Sequence, residues 1–425
     1  MGSKLITGAR IWDATGAPAF SGDVLIDGNR LRAISRTPGQ LAAEGAEMID
    51  GTGLTLMPGM VEGHAHLSFE SVAATEDLIT PTPEEQVFTA ARGAKALLDA
   101  GFTSAYGASE AKLRLAVAVR NEVNAGRIPG PRIRAGSLEI SVTGAMGDEG
   151  RLHNERPGGP SMIVNGPEEM RKAVRLFCRE GCDNIKLDVS GDPFYPNTPA
   201  TTTPMRLDEI RMAVETAHSY GRKVNAHTRS IEGSKFCIQA GVDGLFHCEY
   251  ADDELLDMME EARDRMFVVP TVSLFHTIVH GEASGSGLTP EIGGFMGITA
   301  LLEESAKTHT ALRKRGIRHL IGGDYGFAWS RQGTNARDLQ FFVDYYGYTP
   351  EAALLCATRN GGMAMRSAGD LGMIAEGQLA DLLLVAGNPD EDVSIMTDAS
   401  RLVMIMNDGK IHKNTTAVAQ RRAAA

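Results

Sequence analysis

His64 and His66 sit two residues apart in the run Val61-Glu62-Gly63-His64-Ala65-His66-Leu67. On a strand that spacing puts both imidazoles on one face, and two converging imidazoles can ligate a metal ion. The competing reading is a pair of histidines satisfied by hydrogen bonds. Four more residues capable of metal chemistry lie in or at the end of short apolar runs. Lys186 lies in Asn184-Ile185-Lys186-Leu187-Asp188-Val189, and His227 follows Lys223-Val224-Asn225-Ala226. His247 follows Gly244-Leu245-Phe246, and Asp324 follows His319-Leu320-Ile321-Gly322-Gly323. Alternation turns Ile185 and Leu187 one way and Lys186 inward. A buried ammonium is costly, so its pKa falls or a partner appears. A neutral lysine can add carbon dioxide to give a carbamate able to bridge two metals; an ion pair with Asp188 or another carboxylate is the alternative. A lone strand-end histidine is more often structural than a ligand. Asp324 could bind metal and shuttle protons, or cap the next helix.

These residues need elements that bring them together. Between 57 and 369 strand-like and helix-like segments alternate, with apolar runs ending near Leu67, Tyr106, Leu138, Val189, Thr228, Tyr250, Phe275 and Tyr325. Apolar residues recur at three- and four-residue steps in Pro83–Ala100 and Leu207–Tyr220, which predicts helices. Eight such units predict an α/β fold, a TIM (β/α)8 barrel. A doubly wound sheet would want a glycine-rich phosphate loop after its first strand, where His64 and His66 stand instead. Residues 1–56 and 370–425 alternate apolar and polar residues around Asp-Gly and Gly-Asn turn signals. Neither end has enough strands for a secure core, so both are expected in one composite β domain, a small β-sandwich.

On this frame His64/His66, Lys186, His227, His247 and Asp324 fall at the ends of strands one, four, five, six and eight. That is the face where TIM barrels place active sites, and the joint pattern favours a metal centre over independent coincidence. The set resembles the amidohydrolase superfamily, in its binuclear, carboxylated-lysine branch. Pro58-Gly59-Met60-Val61-Glu62-Gly63-His64-Ala65-His66 is similar to that family's entry motif, and Gly377-Gln378-Leu379-Ala380-Asp381-Leu382 to its return into the β domain. Within it the chain is most similar to imidazolonepropionase-like Xaa-Pro or Xaa-Arg dipeptidases and to ochratoxinases. The resemblance implies one metal on His64, His66 and Asp324, a second on His227 and His247, and carboxylated Lys186 between them. The expected ions are two divalent metals, zinc by ligand type.

The implied reaction is amide hydrolysis by a metal-bridging hydroxide, with Asp324 as proton shuttle. The implied substrate is an N-acyl amino acid or dipeptide with a free carboxylate. Ochratoxin A, cleaved to ochratoxin alpha and phenylalanine, is a candidate. The alternative is a cyclic amide or imine hydrolase, or a deaminase, of the same superfamily. One departure concerns specificity. Related sequences often carry Thr-Gly-Gly-His-Gly-Asp where this one has Thr143-Gly144-Ala145-Met146-Gly147-Asp148, so Met146 replaces a histidine.

Stretches 139–165, 190–206, 276–299 and 325–335 are rich in Gly, Pro and Thr and are expected to roof the barrel mouth. They, with Phe275, offer Phe194, Tyr195, Phe275, Phe327 and Trp329 as walls. Ser68 continues the inward face beyond His66. Arg229 could clamp an α-carboxylate or pair with Glu232. His276, with His280, is expected near the site without binding metal. His153, His218, His309, His319 and His412 are read as structural.

Lys and Arg number 42 against 54 Asp and Glu, a net charge of −12, and there is no basic block. Nucleic acid and anionic membrane are therefore poor partners. No apolar run approaches the ~20 residues that span a bilayer. Five cysteines without a Cys-x-x-Cys pattern suit free thiols in a reducing, cytoplasmic setting. Similar proteins are often octameric, so a homo-oligomer is expected.

Overall fold

The computed structural model describes residues 2–42, 44–150, 159–195, 197–366 and 368–416. Both ends of the chain build one sheet. Strands Lys4–Ile11, Phe20–Asp27, Arg30–Ser35, Glu47–Asp50 and Thr55–Pro58 join Leu382–Val385, Leu402–Asn407 and Lys410–Asn414 in an eight-stranded array. Antiparallel pairing of Thr55–Pro58 with Leu382–Val385 welds the two ends. The Asp-Gly signal is realised between Asn407 and Lys410, which pair across Asp408 and Gly409 with φ of +52° and +72°, as a type I′ hairpin turn requires. Where a sandwich is expected, hydrogen bonding runs through one continuous sheet. Its Arg30–Ser35 edge folds back, with Leu31 N donating to Gln378 O at 2.9 Å and Ala380 N to Asn29 O at 2.9 Å. The sheet thereby curls round its own core of Ile6, Val24, Ile26, Leu56, Leu382 and Met404.

The middle of the chain is α/β. Met60–Ala65, Phe102–Gly107 and Arg132–Arg134 form a three-stranded parallel sheet. Gly136–Ser141, Asn184–Asp188, Lys223–Thr228, Gly244–His247 and Phe267–Val269 follow in order as parallel neighbours, with Met162–Ile163 at one edge. A parallel bridge between Ser109 and Ser137 connects the two sheets. Residues 319–321 continue the array through the Val268–His319 bridge, and Gly63 N donates to Ile321 O at 2.9 Å. The intervening helices lie where apolar periodicity and caps place them. Helix Pro83–Asp99 opens on Thr82, whose Oγ1 accepts from Glu85 N while Glu85 Oε2 accepts from Thr82 N, a capping box. Its buried Ala90, Ala94, Leu97 and Leu98 face the strands. Helix Leu207–Ser219 also stands where its periodicity predicts.

Three expectations are corrected. The apolar run to Phe275 is not one strand: Phe267–Val269 ends before Pro270, and Val272–Val279 is a helix. A buried apolar run reads alike as strand or helix, and Pro270 breaks it. Nor is 276–299 an open loop, because the end of helix Val272–Val279, a short 3-10 turn, Glu282–Ser286, helix Pro290–Phe295 and the start of helix Ile298–Lys314 occupy it. The segment before Asp324 carries only bridge-type pairing. Gly322 and Gly323 pack so closely there that an added Cβ would lie 2.7 Å from His64 N and 2.6 Å from Asp338 Oδ1 respectively.

Candidate metal and substrate site

Parallel register carries the chemistry to one end of the sheets. Asp188 pairs with His227 and Thr228 with His247, so the ends of three successive strands sit level. His64, His66, Lys186, His227, His247 and Asp324 all line one cavity of about 1150 Å³. His66 Nε2 is 3.1 Å and His64 Nε2 3.8 Å from Asp324 Oδ1. The ring centroids of His227 and His247 are 4.3 Å apart, and those of His64 and His247 5.5 Å. Phe246 stacks on His64 at 4.2 Å.

The donor atoms fit metal ions. Both ring nitrogens of His64 and Oδ1 of Asp324 are buried without a hydrogen-bond partner among the described residues. Such orphaned polar atoms are costly unless something else satisfies them. The other rings are oriented from behind, as ligating imidazoles usually are. His66 Nδ1 lies 2.9 Å from Ser109 O, His227 Nε2 3.1 Å from Gly191 O, and His247 Nδ1 2.7 Å from Thr271 Oγ1. The two carbonyls take an N–H and leave lone pairs on His66 Nε2 and His227 Nδ1. Burial pushes the His64 and His247 imidazoles well below their ordinary range and His227 to about 3, with Arg229 adding to the effect at the last two. Neutral imidazole is the metal-binding form. Burial alone would raise the Asp324 carboxyl, but His64, His66 and Lys186 outweigh it and hold the group well below the usual carboxylate range.

Lys186 is 2% exposed. Its Nζ lies 5.1 Å from the Phe246 ring centroid, and the carboxylate within ion-pair range among the described residues is Glu139, at 3.9 Å. Asp188 is not its partner; Asp188 Oδ2 accepts from Ser161 Oγ at 3.3 Å. Asp324 is not a helix cap either, since the next helix after it is Arg337–Tyr346. Backbone strain marks the site: His247, Cys248 and Asp324 have φ of +77°, +58° and +60°. For non-glycine residues each costs about 1–3 kcal/mol and persists where the surroundings over-determine it.

Of the expected substrate contacts, Met146, Tyr195 and Trp329 line the cavity, with Phe194 and Phe327. Ser68, Arg229 and His276 do not. Ser68 Oγ accepts from Ala111 N at 2.9 Å. Arg229 is 1% exposed and donates to Asp192 Oδ2 at 2.8 Å and to Glu249, over the Phe275 ring. Glu232 is not among its partners in the described residues. His276 Nδ1 lies 2.7 Å from Tyr345 OH and Nε2 3.4 Å from Glu282, outside the lining. Phe69, Thr75 and Leu78 line the cavity without having been expected, and Glu139, Glu149 and Asp192 line it from the stretches expected to roof it, though none of the three was singled out. Glu139 had a signal, because it sits near the end of its strand in register with Lys186. His153 lies outside the described residues.

The amidohydrolase family profile matches residues 55–412. Ochratoxinase of Aspergillus niger is 29% identical over 382 residues, covering 84% of this chain and 75% of that protein. Imidazolonepropionase of Anaeromyxobacter sp. (strain K) is 21% identical over 413 residues, covering 93% and 91%. The crystal structure of a Xaa-Pro dipeptidase with methionine bound in its active site matches with a TM-score of 0.86 and 27% identity, covering 97% of this chain and 100% of that one. The profile takes in every strand end that supplies the cavity with His64, His66, Lys186, His227, His247 and Asp324, and the chain therefore belongs to the amidohydrolase family, as a hydrolase of carbon–nitrogen bonds.

Proposed function

We propose that the chain hydrolyses the amide bond of an N-acyl amino acid or dipeptide with a free carboxylate, ochratoxin A included. The observation that carries this reading is the six-residue donor set lining a cavity that also has aromatic walls, Phe69, Phe194, Tyr195, Phe327 and Trp329. Similarity to an ochratoxinase and a Xaa-Pro dipeptidase supports an amide beside a carboxylate.

His64, His66 and Asp324 would hold one divalent ion, and His227 and His247 a second, with carboxylated Lys186 between them. Imidazole and carboxylate donors suit zinc. When bound, the ions supply activation of water and polarisation of the substrate carbonyl. Asp324, ionised and facing the histidines, takes a proton from the attacking water. It then delivers that proton to the leaving nitrogen, because an amide nitrogen departs readily only as an amine. Burial keeps His227 and His247 neutral, so their lone pairs stay available. The aromatic walls favour a flat or bulky acyl group and exclude water around it.

In this reading residues 57–369 are a TIM (β/α)8 barrel, and 1–56 with 370–425 a composite β domain. The Gly63–Ile321 and Val268–Leu320 backbone hydrogen bonds support closure. All five cysteines are buried free thiols, which supports a cytoplasmic setting, and no described helix is long and apolar enough to cross a membrane. The assembly expected is a homo-oligomer, an octamer by resemblance.

The test is release of free amino acid from a panel of N-acyl amino acids and dipeptides. Ring opening, or ammonia without a free amino acid, would favour the cyclic amide hydrolase or deaminase reading, to which the similarity to imidazolonepropionase points.

A further inference from the structure

The chain turns through two successive left-handed residues, His247 and Cys248, where strand Gly244–His247 ends. The carbonyls flanking that corner are both held from helix Ile298–Lys314. Thr308 Oγ1 donates to Glu249 O at 2.7 Å, and His309 Nε2 donates to His247 O at 2.8 Å. Cys248 N donates to Thr228 O at 2.9 Å on the other side.

A neutral imidazole has one donor and one acceptor nitrogen. His309 Nε2 faces a carbonyl and must donate, so its Nδ1 accepts. His319 Nε2, 3.1 Å away, then supplies the hydrogen. His319 Nδ1 in turn accepts, and Tyr348 OH at 2.9 Å is its donor in preference to the Ile317 carbonyl at 3.2 Å, which has no hydrogen to give. The donor sequence therefore runs one way, from Tyr348 through His319 and His309 to the His247 carbonyl. His309 and His319 are fully buried, and neither lines the cavity.

We propose that Thr308 and His309 are positioning residues that lock the left-handed corner at His247 and so aim its ring into the cavity, with His319 and Tyr348 fixing His309 as the donor. The inference rests on the reading of His247 as a ligand of the second metal. Outer partners of ligating histidines typically change metal affinity by roughly 10–100-fold when removed.

The experiment compares wild type, His309→Phe, His309→Gln and Thr308→Val. Zinc affinity is read by chelator competition, and thermal unfolding is followed in metal-free protein. His309→Phe should weaken one of two zinc ions by roughly 10–100-fold and leave the other unchanged. His309→Gln keeps an amide donor and should recover most of the loss. Thr308→Val should show a smaller loss at the same ion and carries the test if His309→Phe does not fold. Two zinc ions held by His309→Phe as tightly as by wild type would overturn the proposal. So would weakening that tracks a lowered metal-free melting temperature and is not recovered by glutamine. Wild type unable to hold two zinc ions would instead overturn the metal reading, and this inference with it.

Discussion

His66 Nε2 lies 3.1 Å from Asp324 Oδ1 while Nδ1 of the same ring lies 2.9 Å from the Ser109 carbonyl oxygen. The carbonyl takes the N–H, which leaves a ring lone pair facing a carboxylate oxygen. A proton or a cation between the two turns that contact from repulsive to attractive. His64, with neither ring nitrogen hydrogen-bonded, faces the same oxygen at 3.8 Å. With the His64 N–H on Nδ1, the three converging atoms have no hydrogen to share, a set chemically suited to a divalent ion.

Lys186→Ala tests the bridge between the two ions. Metal content of the purified variant should fall, with partial recovery when a short-chain carboxylic acid is added in place of the carbamate. Elemental analysis with and without propionate reads it. Full occupancy in the variant without added acid would argue against a bridging carbamate.

Asp338 gives a pH signature at a group that is not itself a candidate metal ligand. It is buried, accepts from Tyr325 OH at 2.9 Å and Gly322 N at 3.0 Å, and burial raises its carboxyl to about 7. Between its unfolded value near 4 and about 7 the folded protein retains a proton that the unfolded chain has released. The contribution of Asp338 to stability therefore falls as pH rises through that window and levels off above it. Relative to Asp338→Asn, wild type should lose about 3–4 kcal/mol between pH 4 and 8. Urea unfolding of both proteins across that range reads the difference, and a constant offset would contradict it.

Arg229→Ala should act on stability before substrate binding. Removing the guanidinium leaves Asp192 and Glu249 buried together, and breaking such a buried pair costs about 3–5 kcal/mol. Urea unfolding checks the loss. Unchanged stability, with a KM rise confined to substrates bearing a free carboxylate, would restore Arg229 as a carboxylate clamp.

The candidate ligands were legible because strand geometry is periodic. Two-residue spacing puts His64 and His66 on one face, and short apolar runs announce the ends that carry His227 and His247. The close packing of Gly322 on His64 and of Gly323 on Asp338 was not legible. Partners far apart in sequence were not legible. Nothing near Arg229 in the chain says that Asp192 and Glu249 will hold it rather than Glu232. Nothing near His309 says that its ring will reach the carbonyl of His247. The strand expected up to Phe275 failed because a buried helix and a buried strand are both rich in apolar residues, and Pro270 marks the change from one to the other.

The most direct measurement of the central claim is amino-acid release from a panel of N-acyl amino acids, dipeptides and ochratoxin A, using wild type and Asp324→Asn verified to hold two metal ions. The account predicts release by wild type, phenylalanine in the case of ochratoxin A, and at least about a hundredfold slower release by Asp324→Asn. No release from any member by metal-loaded wild type, or equal rates from the two proteins, would contradict it.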